Sequence, residues 1–259
     1  MTSVGKVITI TSRKGGVGKT TNLLNLAGVY SNLNKKIIIL DFDLYTNSIS
    51  VSLNLEPNKN IFNLVDDISN NRFKEFNDYV TKYNDNISVL ASCKDPRQAT
   101  LINLKYIEQI VNYAKYSYDV VLIDTSHVLM DLNIVIYDES DTILSIMTND
   151  PIDLVNTKSF INICKDINFT DLRILLNEGI NVEEKYFSLY DIRSFLEYNI
   201  SYRLNESFFI KTIDKYVLAG SILTLSKVLG DKEYKLLEKI ALDLLKEAKD
   251  ILGDDFTIS

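Results

Sequence analysis

The stretch VITITSRKGGVGKTT, residues 7–21, decides the fold into which the rest of the sequence must fit. It begins with the β-branched run Val7–Thr11, passes through three glycines, and leads into helical spacing from Thr20 to Asn32. A phosphate chain needs many backbone N–H donors at close range, and glycine allows that approach. The dipole of a following helix adds positive potential at its N-terminus. The sequence therefore predicts a strand, a phosphate-binding loop and a helix in succession.

Two side chains of this loop have the chemistry that a phosphate site needs. Lys19 carries a mobile positive charge for β- and γ-phosphates, and Thr20 carries an oxygen for Mg²⁺. Arg13 stands where the general pattern G-x-x-x-x-G-K-[ST] has its first glycine, and Lys14 is a second lysine in the loop. A glycine-rich turn without a ligand is the alternative, but the strand before the loop and the helix after it favour the phosphate site.

Short β-branched runs alternate with longer amphipathic segments along the rest of the chain. Runs such as Ile37–Leu40 are apolar throughout, which is typical of parallel strands covered by helices on both faces. We predict strands at Val7–Thr11, Lys36–Asp41, Ile87–Ala91, Asp119–Asp124, Thr142–Thr148, Leu172–Leu176 and Tyr198–Tyr202. We predict helices at Thr20–Asn32, Leu104–Tyr116, Asp153–Ile167 and Asp231–Leu252. The alternation predicts an α/β fold, a doubly wound and mostly parallel sheet flanked by helices, with ligands at the carboxyl ends of its strands.

Composition narrows the class of protein. The 259 residues are 46% hydrophobic and 24% charged, near the globular average, and we expect one domain over residues 1–259. The net charge of −7 argues against a protein that coats nucleic acid, although a local basic patch stays open. Cys93 and Cys164 form neither a disulfide framework nor a metal-ligand pair. No signal peptide or membrane-spanning run is visible, so we expect a cytoplasmic location.

Acidic residues follow two of the predicted strands at the edge where ligands are expected. Asp41 and Asp43 are at positions i and i+2, so their side chains point the same way. Asp124 ends the run VVLID, residues 120–124, and would bind Mg²⁺ through water because a hard cation prefers oxygen ligands. Ordinary acidic residues at strand-to-turn junctions are the alternative.

The segment KGGVGKT, residues 14–20, is similar to the deviant Walker A motif of the MinD/ParA group of P-loop ATPases. The resemblance implies that ATP is held by Gly15, Gly16, Val17, Gly18, Lys19, Thr20 and Thr21. It also implies that Lys14 is the signature lysine, which reaches the nucleotide held by the other subunit of an ATP-dependent homodimer. Such a lysine acts as an arginine finger does, with positive charge where charge develops on the phosphoryl group. A solvated loop lysine is the alternative for Lys14.

Further positions resemble catalytic and switch residues of the same group. The D-x-D motif implies that Asp43 positions or deprotonates the attacking water and that Asp41 supports the metal shell. Asn47 resembles the switch asparagine, and Asn177 resembles the residue that contacts the adenine edge. Guanine recognition requires a carboxylate at the position of Ile180, so ATP is favoured over GTP. The metal set implied for Mg²⁺ is Thr20, Asp41, Asp43 and Asp124.

The second switch departs from the pattern of the group. Ser126-His127-Val128 follows Asp124-Thr125 where proline and glycine are usual. Contact with the γ-phosphate and the rate of hydrolysis are therefore open, and a nucleotide-binding scaffold with little turnover is an alternative to an enzyme. We interpret His127, the only histidine, as an ordinary loop residue, with contact to phosphate or to a partner as the alternative.

The branch within the group is predicted from residues 87–160. ISVLASCKDP, residues 87–96, and ATLI, residues 99–102, resemble a stretch of the CpaE/TadZ proteins, the ATPases thought to mark where a Tad-type pilus machine is built. Asp43-Leu44-Tyr45 and the segment Leu144–Lys158 resemble the same branch. This implies a slow, partner-stimulated ATPase switch that positions or regulates the assembly of a cellular machine through a protein partner.

Two other branches fit less well. A MinD-type septum regulator requires a basic C-terminal amphipathic helix, whereas lysines and acidic residues are nearly balanced in residues 231–252. We expect that helix to pack on the sheet and membrane association to be at most indirect, through a partner at the membrane or pole. A plasmid or chromosome partition ATPase of the ParA type requires a nonspecific DNA surface. The basic excess between Arg193 and Lys235 is small, so DNA binding is disfavoured but stays an alternative.

Overall fold

The computed structural model describes residues 4–180 and 186–246. Within them one sheet has eight strands in the order β3-β4-β2-β5-β1-β6-β7-β8. The strands are β1 (Lys6–Ser12), β2 (Ile37–Phe42), β3 (Thr81–Lys82), β4 (Ile87–Leu90), β5 (Val120–Thr125), β6 (Thr142–Met147), β7 (Leu172–Asn177) and β8 (Tyr202–Leu204). Every neighbouring pair is parallel except β3 and β4, which are antiparallel.

Helices cover both faces of this sheet. They are α1 (Lys19–Asn32), α2 (Ser48–Ser52), α3 (Ile61–Ser69), α4 (Ile107–Ser117), α5 (Asp131–Asp138), α6 (Pro151–Asp166), α7 (Leu189–Leu196), α8 (Ile213–Leu218) and α9 (Asp231–Leu244). Alternate residues of β2 enter different layers: Ile37 and Ile39 pack in the core that contains α1 and α9, and Ile38 and Leu40 pack in the core that contains α3 and α4. The predicted fold class, a doubly wound and mostly parallel sheet, is confirmed.

The order of the strands places a crevice at the carboxyl end of β1. From β1 the chain runs through α1 to β2, which lies beyond β5 on one side of β1. On the other side of β1 lies β6. Connections that depart in opposite directions leave space between them, and ligands of open α/β sheets bind at such a point. The loop between β1 and α1 therefore begins beside this crevice.

Most predicted element ends agree with the structure to within about three residues, and the differences have local causes. The last predicted strand, Tyr198–Tyr202, is shifted: β8 begins only at Tyr202. The hydroxyl of Tyr198 donates to the carbonyl of Leu172, which holds this residue in the connection before the strand. The edge strand β3 was not predicted because two residues give no periodic pattern.

The last described helix packs on α1. Its side chains Leu237, Ile240, Ala241 and Leu244 are buried, and the hydroxyl of Tyr30 donates to the carbonyl of Ala241 at 2.8 Å. The helix was predicted from Asp231 to Leu252; α9 ends at Leu244, and residues 247–252 lie outside the described ranges. None of the helices in residues 4–180 and 186–246 has the length and apolar character that crossing a bilayer requires.

A buried ion-pair network fixes the same helix to the sheet. Arg173 on β7 pairs with Asp171 at 2.8 Å and with Asp243 of α9 at 3.0 Å. The hydroxyl of Tyr202 on β8 donates to Asp243 at 2.6 Å. Because a buried guanidinium needs several acceptors, this network ties α9 to the two last strands.

Candidate functional site

The loop of residues 13–18 joins β1 to α1 in a conformation that depends on glycine. Gly16 and Gly18 have φ values of 75° and 90°, in the left-handed region that disfavours other residues. A Cβ at Gly18 would lie 2.7 Å from Nδ2 of Asn177, so the close approach of β7 also requires glycine there. The carbonyl of Val17 accepts a hydrogen bond from that same amide at 3.0 Å. Asn177 at the end of β7 thus holds the loop in place through its contacts with Val17 and Gly18.

Lys19 lies between carboxylates that come from the ends of two strands. Its Nζ donates to Oδ1 of Asp124 at 2.5 Å and is 3.7 Å from Oδ2 of Asp43. The hydroxyl of Thr20 donates to the other oxygen of Asp124 at 3.2 Å. Burial raises the pKa of Asp124, and the Lys19 ammonium opposes that shift. Lys19 and Asp124 are therefore a largely buried ion pair.

Asp41 is a buried carboxylate without a hydrogen-bond partner among the described residues. It stands opposite Asp124 in the register of β2 with β5. Burial and, next, the charge of Asp124 raise its pKa well above the ordinary value. Such a group is costly unless a cation or water compensates it. Of the predicted metal ligands, Thr20 and Asp43 line the cavity described below, whereas Asp41 and Asp124 do not.

The oxygen set of Thr20, Asp43 and Asp124 has the chemistry that Mg²⁺ selects. No three acidic, histidine or cysteine side chains converge as a complete metal cage in the described part of the chain. The three predicted carboxylates Asp41, Asp43 and Asp124 thus do not form such a cage, and Mg²⁺ is usually held by one or two carboxylates together with phosphates and water. The residues present therefore fit a magnesium ion that is completed by a nucleotide.

A cavity of about 590 Å³ opens over the loop. One wall is polar and includes Lys14, Gly15, Gly16, Lys19, Thr20, Thr21, Asp43 and His127. Another wall includes Asn177, Gly179 and Ile180 and continues into the apolar side chains of Phe208, Phe209, Ile210, Ile213 and Leu229. A cavity with a cationic wall and an apolar wall has the two chemistries that a nucleotide presents.

Two predicted asparagines occupy different positions relative to this cavity. Asn177 lines it, and its Oδ1 accepts from the backbone N–H of Gly179 at 3.1 Å. Asn47 begins α2 in the left-handed region and accepts from the hydroxyl of Ser92 at 3.3 Å. The cavity wall includes the neighbours of Asn47, Thr46 and Ser48, but Asn47 itself does not contribute to it.

Lys14 is paired within its own chain. Its Nζ is 2.9 Å from Oδ2 of Asp150, the N-cap residue of α6. The other oxygen of Asp150 accepts from the backbone N–H groups of Ile152 and Asp153, each at 3.0 Å. Lys14 and these helix amides hold the pKa of Asp150 below its ordinary value. The predicted signature lysine thus lies at the mouth of the cavity, above α6.

A family model described as an AAA domain matches residues 5–206. The chain belongs to this family. The curated relatives that it matches include septum site-determining MinD proteins. It is similar to the septum site-determining protein MinD of Helicobacter pylori (strain ATCC 700392 / 26695), with 31% identity over 119 residues, which cover 46% of this chain and 44% of the relative. The chain thus aligns with about half the length of this curated relative.

Solved structures of MinD/ParA-type proteins share the fold. A ParA family ATPase from Chlorobium tepidum TLS superposes with a TM-score of 0.80 at 15% identity, covering 92% of this chain and 98% of that one. MinD from Pyrococcus horikoshii OT3, described as complexed with Mg-ADP, superposes with a TM-score of 0.77 at 18% identity, covering 97% and 100%. At these identities the likeness concerns the fold.

Several residues of this P-loop domain were not predicted as part of the site. The apolar wall around Phe208 and Phe209 has no motif that could indicate it. Asp150 was predictable only as a helix start, from the Asp-Pro pair before α6. Arg13 packs its guanidinium 4.7 Å from the ring centre of Phe160 and donates to the hydroxyl of Thr11 at 2.7 Å. The loop between β1 and α1 is thereby anchored to the layer of α6.

Proposed function

We propose that this chain is an ATP-dependent ATPase switch that closes into a homodimer around two Mg·ATP molecules. The observation that carries the proposal is the position of Lys19, held between Asp124 and Asp43 at the wall of a nucleotide-sized cavity. These carboxylates come from β5 and from the end of β2. A nucleotide that binds Lys19 would therefore change the contacts of both strand ends. The function of the switch would then depend on the surface that forms in the ATP-bound state, and not on the ADP and phosphate that hydrolysis releases.

Each polar residue of the site has a distinct proposed role. The backbone N–H groups of residues 15–20 and the ammonium of Lys19 bind the phosphates. Thr20 and Asp124 hold Mg²⁺, which supplies charge neutralisation on the phosphates when bound. Asp43 orients the attacking water and accepts its proton. Asp41 supports the metal shell, since a buried carboxylate without a hydrogen-bond partner gains from a nearby cation.

The second wall of the cavity supports adenine as the base. Phe208, Phe209 and Ile210 offer apolar surface to the flat faces of a base. Asn177 contributes an amide to its edge, in addition to supporting the loop through Val17. Ile180 provides no carboxylate for the guanine N1 and N2 donors, which favours ATP over GTP.

The trans role of Lys14 requires a movement of one side chain. We propose that Lys14 leaves Asp150 and reaches the nucleotide of the second subunit, where it stabilises charge on the transferred phosphoryl group. Lys14 is well placed for this role because its side chain remains 36% exposed at the mouth of the cavity. Closure of the dimer and completion of the active site are then the same event.

Steady-state phosphate release separates this switch from a scaffold that holds ATP with little turnover. We expect Asp43→Ala to reduce turnover about 100-fold or more, because it removes the group that orients the water. Asp138→Ala, on the exposed end of α5, is the control and keeps the wild-type rate. Equal phosphate release from the wild type and Asp43→Ala would show that this site does not hydrolyse ATP.

The sequence of residues 87–160 supports a proposal for the cellular machine on which this ATPase acts. We infer a CpaE/TadZ-like role in pilus assembly, in the cytoplasm, with a protein partner that recruits the ATP-bound dimer to the membrane or pole. The same site suits a ParA-type partition ATPase, which predicts ATP-stimulated and salt-sensitive binding to random duplex DNA. A gel shift with ATP at low salt distinguishes the two, since the pilus-assembly role predicts no shift.

A further inference from the structure

His127 lies against the crest of the phosphate-binding loop. It follows Asp124 by three residues, in the turn that leaves β5 beside β1. A Cβ built on Gly15 would lie 3.8 Å from Cε1 of the imidazole and 3.9 Å from each of Nδ1 and Nε2. Because these three distances are nearly equal, the face of the ring around Cε1 and the two nitrogens lies over Gly15. Together with Lys14 and Lys19, His127 lines the polar wall of the cavity.

The turn that carries His127 is held from both sides by one buried asparagine. Nδ2 of Asn133 donates to the carbonyl of Ser126 at 3.2 Å, and its Oδ1 accepts from the backbone N–H of Met130 at 3.0 Å. The hydroxyl of Ser126 also accepts from the backbone N–H of Val128 at 3.2 Å. Asn133 is 1% exposed. These bonds place His127 at the apex of a braced turn, so its position over the loop is preorganised.

The imidazole has hydrogen-bonding capacity that the chain does not use. Within residues 4–180 and 186–246 its nitrogens make no hydrogen bond and no ion pair, and the side chain is exposed toward the cavity. A neutral imidazole donates one N–H, and a protonated one donates two. Its neighbours on this wall are the ammonium groups of Lys14 and Lys19 and the amides of the loop. The ligand that such a wall selects is an anion.

We propose that His127 donates a hydrogen bond to the terminal phosphate of a bound nucleoside triphosphate and thereby makes the site prefer the triphosphate to the diphosphate. The inference rests on the proposed function, because it assumes that phosphates occupy the polar wall. It also explains how Ser126-His127-Val128 serves in place of the usual proline and glycine: the contact is made by a side chain held over Gly15. His127 is thus a specificity-determining residue that reports which nucleotide is bound.

The test compares two nucleotides in two variants and a control. Dissociation constants for ATPγS and ADP, each with Mg²⁺, are measured by calorimetry on the full chain. We expect His127→Ala to weaken ATPγS binding about 10- to 100-fold, the range for a hydrogen bond to a charged group, and to leave ADP binding within about twofold. His127→Gln keeps an N–H donor and restores part of the ATPγS affinity. Leu129→Ala, in the same turn, leaves both constants unchanged.

The outcomes separate this inference from the proposed function. If wild-type protein binds neither nucleotide, the proposed function and this role of His127 are both wrong. If wild-type protein binds both nucleotides but His127→Ala weakens them equally, or weakens neither, the triphosphate-sensing role alone is overturned. Because His127 is exposed, its variants are expected to keep the thermal stability of the wild type, which a melting curve checks.

Discussion

At the scale of single residues, the two lysines of the loop between β1 and α1 are paired with different acidic side chains. Lys19 is committed to Asp124 through a 2.5 Å contact and lies near Asp43. Lys14, five positions earlier, is bound instead to Asp150 on α6. The two lysines of one loop thus contact acidic partners from different elements. Because the partner of Lys19 is buried and that of Lys14 is partly exposed, the second contact is easier to exchange.

Lys14→Ala should keep nucleotide binding and lose ATP-dependent dimerisation. The substitution removes a side chain that is 36% exposed, so the melting temperature is expected to change little. The measurement is molar mass by light scattering with ATPγS and Mg²⁺. Lys158→Ala is the matched control, since Lys158 is a partly exposed lysine of α6 paired with Glu197. Normal dimerisation of Lys14→Ala would refute the trans role.

At the scale of elements, the sequence was most informative where a strand is buried on both faces. Ile37–Leu40 and Val120–Ile123 were predicted within about one residue because an unbroken apolar run of four residues is typical of a strand between two helix layers. Short helices such as α2 and α8 were not predicted, since five or six residues cannot establish a helical period. The loop, the carboxylates and Asn177 were found from motifs. The apolar wall at Phe208 was not, because only tertiary packing brings it there.

Gly28 in the middle of α1 is expected to reverse the usual effect of glycine in a helix. Alanine normally stabilises a helix relative to glycine by about 1 kcal/mol. Here a Cβ would lie 2.2 Å from the hydroxyl oxygen of Thr224 and 2.7 Å from Cγ2 of Ile222. That hydroxyl also donates to the carbonyl of Asn25, a bond that the collision would break. We expect Gly28→Ala to lose about 1–3 kcal/mol of unfolding free energy, measured by urea denaturation; a gain would contradict the close packing.

The packing of α9 is tested by two leucines of the same helix. Leu244 is fully buried, whereas Leu242 is 48% exposed. Leu244→Ala should cost about 2–5 kcal/mol of unfolding free energy, because it removes buried methyl groups and leaves a cavity. Leu242→Ala should change it by less than about 0.5 kcal/mol. Similar losses from both variants in urea denaturation would show that α9 does not present the predicted face to α1.

At the scale of the whole molecule, the ligand site joins parts of the chain that are distant in sequence. The cavity wall extends from Ser12 to Leu229, and it includes the ends of β1, β7 and β8. Sequence reasoning predicted that strand ends converge here, because parallel strands share one carboxyl edge. It could not predict the pairing of Lys14 with Asp150, since nothing in either motif specifies how the first turn of α6 meets the loop.

Nucleotide binding should therefore stabilise the entire domain. A ligand at 100 times its dissociation constant adds about 2.7 kcal/mol to the unfolding free energy. For a chain of this size we expect Mg·ATP to raise the melting temperature by about 5–10 °C. Lys19→Ala should remove the shift, because the variant lacks the cation for the phosphates. A shift of the same size in Lys19→Ala would show that stabilisation does not arise at this loop.

In the proposed homodimer, the N-cap position of Asp150 would make closure an exchange of partners for Lys14. When Lys14 departs, the carboxylate that it leaves is still solvated by two backbone amides and by the positive end of α6. The carboxylate of Asp150 would therefore keep hydrogen-bond donors both when Lys14 is paired with it and when Lys14 has left. If the proposed homodimer forms in this way, we expect it to separate once the triphosphate is hydrolysed, so that the nucleotide rather than the contact between the two surfaces sets its lifetime.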